Sequence, residues 1–314
     1  MNQLLFSANS VVPVFIVIFV GALLKKLHVI DDAFVDTSSE LVFKVSLPAF
    51  VFSEIAGTDF RSVFEARLII FCCSAVCVSF LIAWFVAPLF VQNGRERGAF
   101  VQGAFRGNVA ILGLAVMENL SGPLGVAKGA VILAFLLPIF NVLAVVSLAV
   151  PLSDSKNSSG RKIIKSIVTN PLILAVVFAL PFSFFEINLP YMIAKSISYL
   201  ADISVPLALI GIGGSLSLEV FKKKSYAAFA SSFLRIIVFP LLSVLVAYLT
   251  GLRGDSLGII FIVMGCPTAV SSFVMAKAMG SDGDLAASIV VVTTIGSVFT
   301  LGLGIFLLKV LSVI

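Results

Sequence analysis

The chain has 314 residues, 60% of them hydrophobic and only 12% charged, with a formal net charge of +5 and a mean hydropathy of +1.17. Soluble domains run at roughly 45–50% apolar and about 25% charged residues, so a soluble domain is excluded, and the excess charge belongs to short basic loops rather than to a nucleic-acid-binding face. A single histidine and four cysteines, all four in apolar stretches, give neither a metal-ligand spacing nor a disulfide framework, and no cofactor is implied.

Ten apolar spans are predicted, each near the ~20 residues that cross a ~30 Å hydrocarbon core. The first covers residues 9–24, and Lys25 and Lys26 follow it, which predicts a retained helix rather than a cleaved signal peptide. The second covers 34–56 with Pro48 inside it, and the third 66–91. The fourth, 97–120, is polar and glycine-rich in its first half; the fifth covers 125–150. A flexible linker at 153–161 and a basic lead-in at 161–166 precede the sixth span, 167–185. The seventh covers 190–212, the eighth 226–249, the ninth 256–279 with Pro267 inside it, and the tenth 285–311.

The two halves match at one offset of 158 (171 − 13): Pro13 with Pro171, Ser46 with Ser204, Pro48 with Pro206, Gly107 with Gly265 and Gly125 with Gly283. Only twelve prolines exist, six in each half, so two proline coincidences at one offset carry weight. Five spans per half is an odd number, so the second half enters the membrane the other way up, and the repeats are inverted. The expected division is 1–152 for the first five-helix repeat, 153–161 for a cytoplasmic linker and 162–314 for the second repeat. With the N-terminus outside, the inside loops hold Lys25, Lys26, Arg95, Arg97, Lys156, Arg161, Lys162, Lys165, Lys222, Lys223 and Lys224. The outside segments hold Arg61, Arg67, Lys128, Arg253 and Lys309. Eleven against five follows the positive-inside rule and puts both termini outside.

Duplicated, inverted halves are the mark of secondary transporters, whose sites lie where the repeats meet. The fourth span carries GAFRGNVAILG (103–113) and the ninth MGCPTAVSSFVMAK (264–277), and Gly107 falls on Gly265. Pro267 lacks an amide proton, and Gly107 and Gly265 weaken helix continuity, so both spans are expected to break there. Half-helix N-termini carry partial positive charge that suits an anion. Arg106, Asn108, Asn141, Pro267, Thr268, Ser271 and Ser272 are the candidate substrate-binding residues. The guanidinium of Arg106 can hold a carboxylate with two parallel hydrogen bonds; its alternative is pairing within the protein. For the hydroxyls and amides, helix–helix hydrogen bonding is the competing role. Lys44 and Asp202 also lie 158 apart (202 − 44), with opposite charge, and read as a coupling or gating pair or else a structural ion pair. Lys277 and Arg235 read as interfacial or structural cations, and His28 is assigned no role.

The stretches RGNVAILG (106–113), KSIVTNPL (165–172) and FVMAKAMGSDGDLAASIVVV (273–292) resemble the auxin efflux carrier family. The likeness covers essentially the whole chain, without the long central loop of many plant members, and is similar to compact bacterial members such as malate and malonate permeases. The resemblance implies an all-α integral membrane fold of ten transmembrane helices, two inverted five-helix repeats with broken, crossing helices 4 and 9. It implies a scaffold domain from spans 1, 2, 6 and 7 and an elevator-like transport domain from spans 3–5 and 8–10. It further implies a homodimer through the scaffold, a place in the cell (inner) membrane, organic anion substrates, and carboxylate-binding asparagines at Asn108 and Asn141. The family's fourth-span proline is Ala115 here, which leaves the break to Gly107 and Gly113.

The leading expectation is therefore a secondary transporter of small mono- or dicarboxylates, auxin-like acids included, and not an enzyme. A sodium- or proton-coupled cation or solute carrier of similar fold is the alternative, and the absence of acidic residues from 103–113 and 265–277 weighs against it. A receptor that binds without transporting leaves no separate mark in the sequence.

Overall fold

The computed structural model describes residues 16–56, 64–152, 169–185, 187, 189–215 and 218–314. Within them the chain is all helix, with no strand, and the one β-bridge, Gly107 with Thr268, is isolated. The expected linker, the basic lead-in at 161–166 and Pro13 lie outside the described residues, as do the side chains of Ala115 and Lys222 to Lys224.

Helix α1 covers 16–26. Helix α2 runs as Asp32–Leu41, one widened π turn over Val42–Ser46, and Leu47–Ala56. Helix α3 is Ala66–Val86 and α4 is Gly94–Phe105. Helix α5 starts with a π turn at Val109–Gly113 and continues to a kink at Gly122, beyond which α6 is Leu124–Ala149. Gly122 has φ 62 and ψ −153, a conformation that a side chain would strain, and this is why the chain turns there. Helices α7 (Pro171–Phe184), α8 (Tyr191–Asp202) and α9 (Ser204–Ser215) follow. Helix α10 runs as Leu218–Phe233, a π turn over Leu234–Val238, and Phe239–Leu249. The last three are α11 (Asp255–Gly265), α12 (Ser271–Ala278) and α13 (Gly283–Val310).

Side-chain caps fix several starts. Asp31, Asn93, Asn170 and Asp282 each accept a backbone N–H from the first turn of the helix that follows. Pro171 stands at the first position of α7, where its missing N–H costs nothing. Five of the described segments are long and apolar enough to cross a bilayer: Ala66–Leu89, Leu124–Ala149, Tyr191–Gly214, Tyr226–Leu249 and Gly283–Val310. Pro171–Phe184 and Asp255–Gly265 are shorter apolar helices. The protein is a multi-pass membrane protein.

The helices sort into two packed groups that each draw on both halves of the chain. In one, α2 packs on α7, α8 and α9. Helix α1 joins it by close backbone contact with α9, where a Cβ at Gly213 would lie 2.0 Å from the Ile18 carbonyl oxygen and one at Gly21 would lie 2.4 Å from that of Ile210. Small residues permit that approach, as is common between membrane helices. In the other group, α3 and α4 pack on α5 and α6, while α13 packs on α4, α10, α11 and α12. The groups meet where α2 and α9 face α12, and where α6 faces α7.

Candidate functional site

Both expected breaks are present, and they cross. Helix α4 ends at Phe105 and α5 begins at Val109; α11 ends at Gly265 and α12 begins at Ser271. Between them the two strips of backbone exchange hydrogen bonds: Asn108 N–H donates to the Pro267 carbonyl at 2.8 Å, and Ala269 N–H donates to the Arg106 carbonyl at 3.0 Å. Backbone groups freed by a break must find partners at membrane depth, and here each break supplies the other's. Gly113 lies in the π turn that follows the break, and the interruption itself falls at Arg106–Asn108, so Gly107 and not Gly113 marks it.

Thr268 locks the crossing to its neighbours. Its hydroxyl donates to the Gly103 carbonyl at 2.6 Å, and its N–H donates to Thr293 Oγ1 at 3.0 Å. Arg235, fully buried in the π turn of α10, locks it from another direction. Its guanidinium donates to three carbonyls: Cys266 at 2.7 Å, Phe105 at 3.0 Å and Val263 at 2.9 Å. Gly107 has to be a glycine for this reason, because a Cβ there would stand 1.9 Å from Arg235 Nη2.

A cavity of ≈ 50 Å³ opens beside the crossing. Val42, Leu47, Phe50 and Val51 of α2 and Ser204, Val205 and Ala208 of α9 form the wall from one helix group. Arg106, Gly107, Asn108, Ala110, Leu133, Leu137, Phe140, Ala269, Val270, Ser271 and Val274 form the wall from the other. The cavity therefore lies at the seam between the groups, next to the starts of α5 and α12. The first amides of a helix have no partner within it and carry partial positive charge. This volume holds a few waters and is well below the ~300–1,000 Å³ of a drug-sized ligand pocket, so the site is closed around at most a very small ligand.

Among the described residues Arg106 is the only charged one in that wall, and it is 3% exposed. One of its terminal nitrogens donates to Asn141 Oδ1 at 2.9 Å and the other lies 2.7 Å from the Met275 sulfur. Both partners are neutral. Asn141 is fully buried, and its Nδ2 has no partner. Among the described residues, no three His, Cys, Asp or Glu side chains group as metal ligands would.

Of the residues singled out in the sequence, Arg106, Asn108 and Ser271 thus reach the cavity, together with Gly107. Asn141 stands behind Arg106. Pro267, Thr268 and Gly265 build the crossing instead of lining the cavity. The Ser272 hydroxyl is buried and has no partner. Lys44 and Asp202 are not brought together, although their helices touch: Lys44 pairs with Glu40 one turn away, and Asp202 accepts from Ser198 at 3.3 Å. Both are exposed and outside the cavity wall. Arg235 was read as interfacial or structural; its role is structural, but it lies at the centre of the crossing. An arginine in mid-span was the available signal. Ser204 was seen only as a repeat partner of Ser46, yet it lines the cavity.

The model of a family described as membrane transport protein matches residues 6–159 and 153–305. The chain belongs to this family, that of the auxin efflux carriers. It is 26% identical over 300 residues to an uncharacterized transporter of Methanothermobacter thermautotrophicus, covering 95% of this chain and 97% of the relative. It is 22% identical over 318 residues to the uncharacterized transporter YfdV of Escherichia coli, covering 99% of this chain and 100% of that protein. Auxin efflux carrier component 1 of Arabidopsis thaliana is 28% identical over 134 residues, 40% of this chain and 21% of the plant protein. As a family member the chain is a membrane transporter.

Proposed function

We propose that this transporter is a secondary carrier of small organic anions, mono- or dicarboxylates of which auxin-like acids are one kind, and that Arg106 is the group that recognises the carboxylate. The observation that carries this reading is a buried guanidinium in a cavity wall with only neutral partners. A buried cation without a counter-charge is costly, and an anionic substrate removes that cost. Asn108, Ser271 and the two helix N-termini supply neutral donors around it, and Asn141 holds the guanidinium through its Oδ1 with one amide proton pair still free. The apolar wall from Leu133, Leu137 and Phe140 suits the hydrocarbon part of such an acid, for which the seam must open wider than the ≈ 50 Å³ of this closed form.

In this reading the chain has ten transmembrane spans in two inverted repeats, with both termini outside and multi-pass in the cell inner membrane. The helices support it: shifted by 158, α6 overlies α13 almost end to end (124 + 158 = 282), and α4 overlies α11 (94 + 158 = 252). The family-model matches divide near the expected linker, at 153–159. The group of α1, α2, α7, α8 and α9 is the scaffold, through which two copies pair as a homodimer. The other group carries the crossing and slides past it as an elevator, opening the seam to each side in turn. Lys44 and Asp202, on the scaffold, are retained as candidate coupling or gating residues, acting through their local partners and not as a pair.

The test is carboxylate binding to the purified protein, followed by melting temperature or calorimetry with malate, malonate and indole-3-acetate. Saturable binding that Asn108→Ala and Arg106→Gln each weaken is the expected result. No binding of any carboxylate by the folded protein overturns the reading.

A further inference from the structure

Arg235 is not part of the cavity wall, yet it is the most completely enclosed charge in the crossing. Its three hydrogen-bond acceptors are main-chain carbonyls at the ends of two different helices, Phe105 closing α4 and Val263 and Cys266 closing α11. Helix C-termini carry partial negative charge. Two of them converge on one guanidinium, with an oxygen 2.7–3.0 Å from each of its three nitrogens. No carboxylate takes part. The π turn over Leu234–Val238 widens α10 at the position from which the side chain enters, and such turns often mark functional sites.

We propose that Arg235 is a built-in cation occupying a carbonyl cage that the crossing forms, so that the paired helix ends are neutralised from within the chain and no bound metal ion is required. The crossing is then polarised: its C-terminal helix ends hold a fixed cation, while its N-terminal helix ends are left for the anionic substrate. Only one half of the repeat supplies this charge, since the residue equivalent to Arg235 is the half-buried Cys77 (235 − 158 = 77). Emptied of its side chain, the cage has the shape and chemistry of a site for a planar monovalent cation, guanidinium in kind, and its oxygens are spread too widely to close on one sodium ion. The binding half of this inference stands on the crossing alone; its consequence for uptake rests on the carrier reading above.

The experiment uses the full-length protein with Arg235→Ala, Arg235→Lys and Arg235→Met. Melting temperature is measured in choline chloride, sodium chloride and dilute guanidinium chloride. Wild type should be indifferent to the choice of cation. Arg235→Ala should melt several degrees lower in choline and recover saturably with guanidinium and not with sodium. Arg235→Lys should stay closer to wild type than Arg235→Met, because it keeps the charge; this comparison also decides the matter if the alanine variant does not fold. Lysine no better than methionine, or a folded alanine variant that guanidinium does not stabilise more than sodium, overturns the proposal. Uptake of malate by proteoliposomes is measured in parallel. Cation rescue of melting without uptake by wild type would sink the carrier reading and leave the cage intact.

Discussion

Replacing Gly107 by alanine adds one methyl group and should damage the crossing out of proportion to its size. The new Cβ would lie 1.9 Å from Arg235 Nη2 and 2.9 Å from its Cζ. The guanidinium cannot stay, and the bond most directly lost is the one from Nη2 to the Val263 carbonyl, 2.9 Å long in the native protein. A hydrogen bond involving a charged group contributes ~1.5–3 kcal/mol, and the stranded carbonyl adds a desolvation cost of about 1–3 kcal/mol. The two together put the loss at about 2.5–6 kcal/mol, and because Gly107 lies outside the helices no gain in helix propensity offsets it. Gly265→Ala is the control. It is the 158-offset partner of Gly107, but its Cβ would press only on the flexible end of Leu301, at 3.0 Å, which can move aside, with Pro240 and Phe261 at ordinary contact distances of 3.7 and 4.0 Å. Chemical or thermal unfolding of both variants in detergent makes the comparison. If Gly107→Ala is as stable as wild type, or if Gly265→Ala is the more damaging, the proposed packing of Arg235 on Gly107 is wrong.

Arg106→Gln should separate binding from stability. It removes a buried charge whose partners are neutral, so melting temperature should hold or rise while carboxylate affinity is lost. Thr268→Val leaves the Gly103 carbonyl without its hydroxyl donor and should cost about 1–3 kcal/mol, read by unfolding. Lys277→Met breaks the 3.0 Å ion pair to Asp36 that joins α12 to α2 across the seam between the helix groups. Such a partly exposed pair contributes only about 0–1 kcal/mol to stability, so melting should barely change. On the proposed elevator reading, in which one group slides past the other and breaks that contact, uptake rate should rise in the variant.

The sequence located the breaks because the signals there are local. A proline that cannot continue a helix and a glycine at the same repeat position suffice, and the chain does cross at Gly107 and Pro267–Thr268. Arg106 and Asn108 were legible for the same reason, since they flank the break. Which polar side chains line the cavity and which build the crossing was not legible. Ser271 and Ser272 are adjacent, and only the rotation of α12 turns the first toward the cavity. Arg235 shows the limit most clearly. Its importance comes from three carbonyls contributed by residues 28 to 130 positions away in the chain, and no spacing rule encodes that. For Lys44 and Asp202 the offset pointed to two helices that touch, since α2 packs on α8. It did not fix side-chain direction, and each charge found a partner one turn away on its own helix.

The central claim is that a carboxylate crosses the membrane by meeting Arg106 in the cavity beside the crossing. Uptake of labelled malate, malonate and indole-3-acetate into proteoliposomes, by wild type and by Arg106→Gln at matched protein content, tests it most directly. The account predicts saturable uptake of at least one acid by wild type, driven by a pH gradient or a membrane potential, and its loss in the variant. Uptake that survives Arg106→Gln undiminished, or a folded wild-type protein that moves none of these acids, would contradict it.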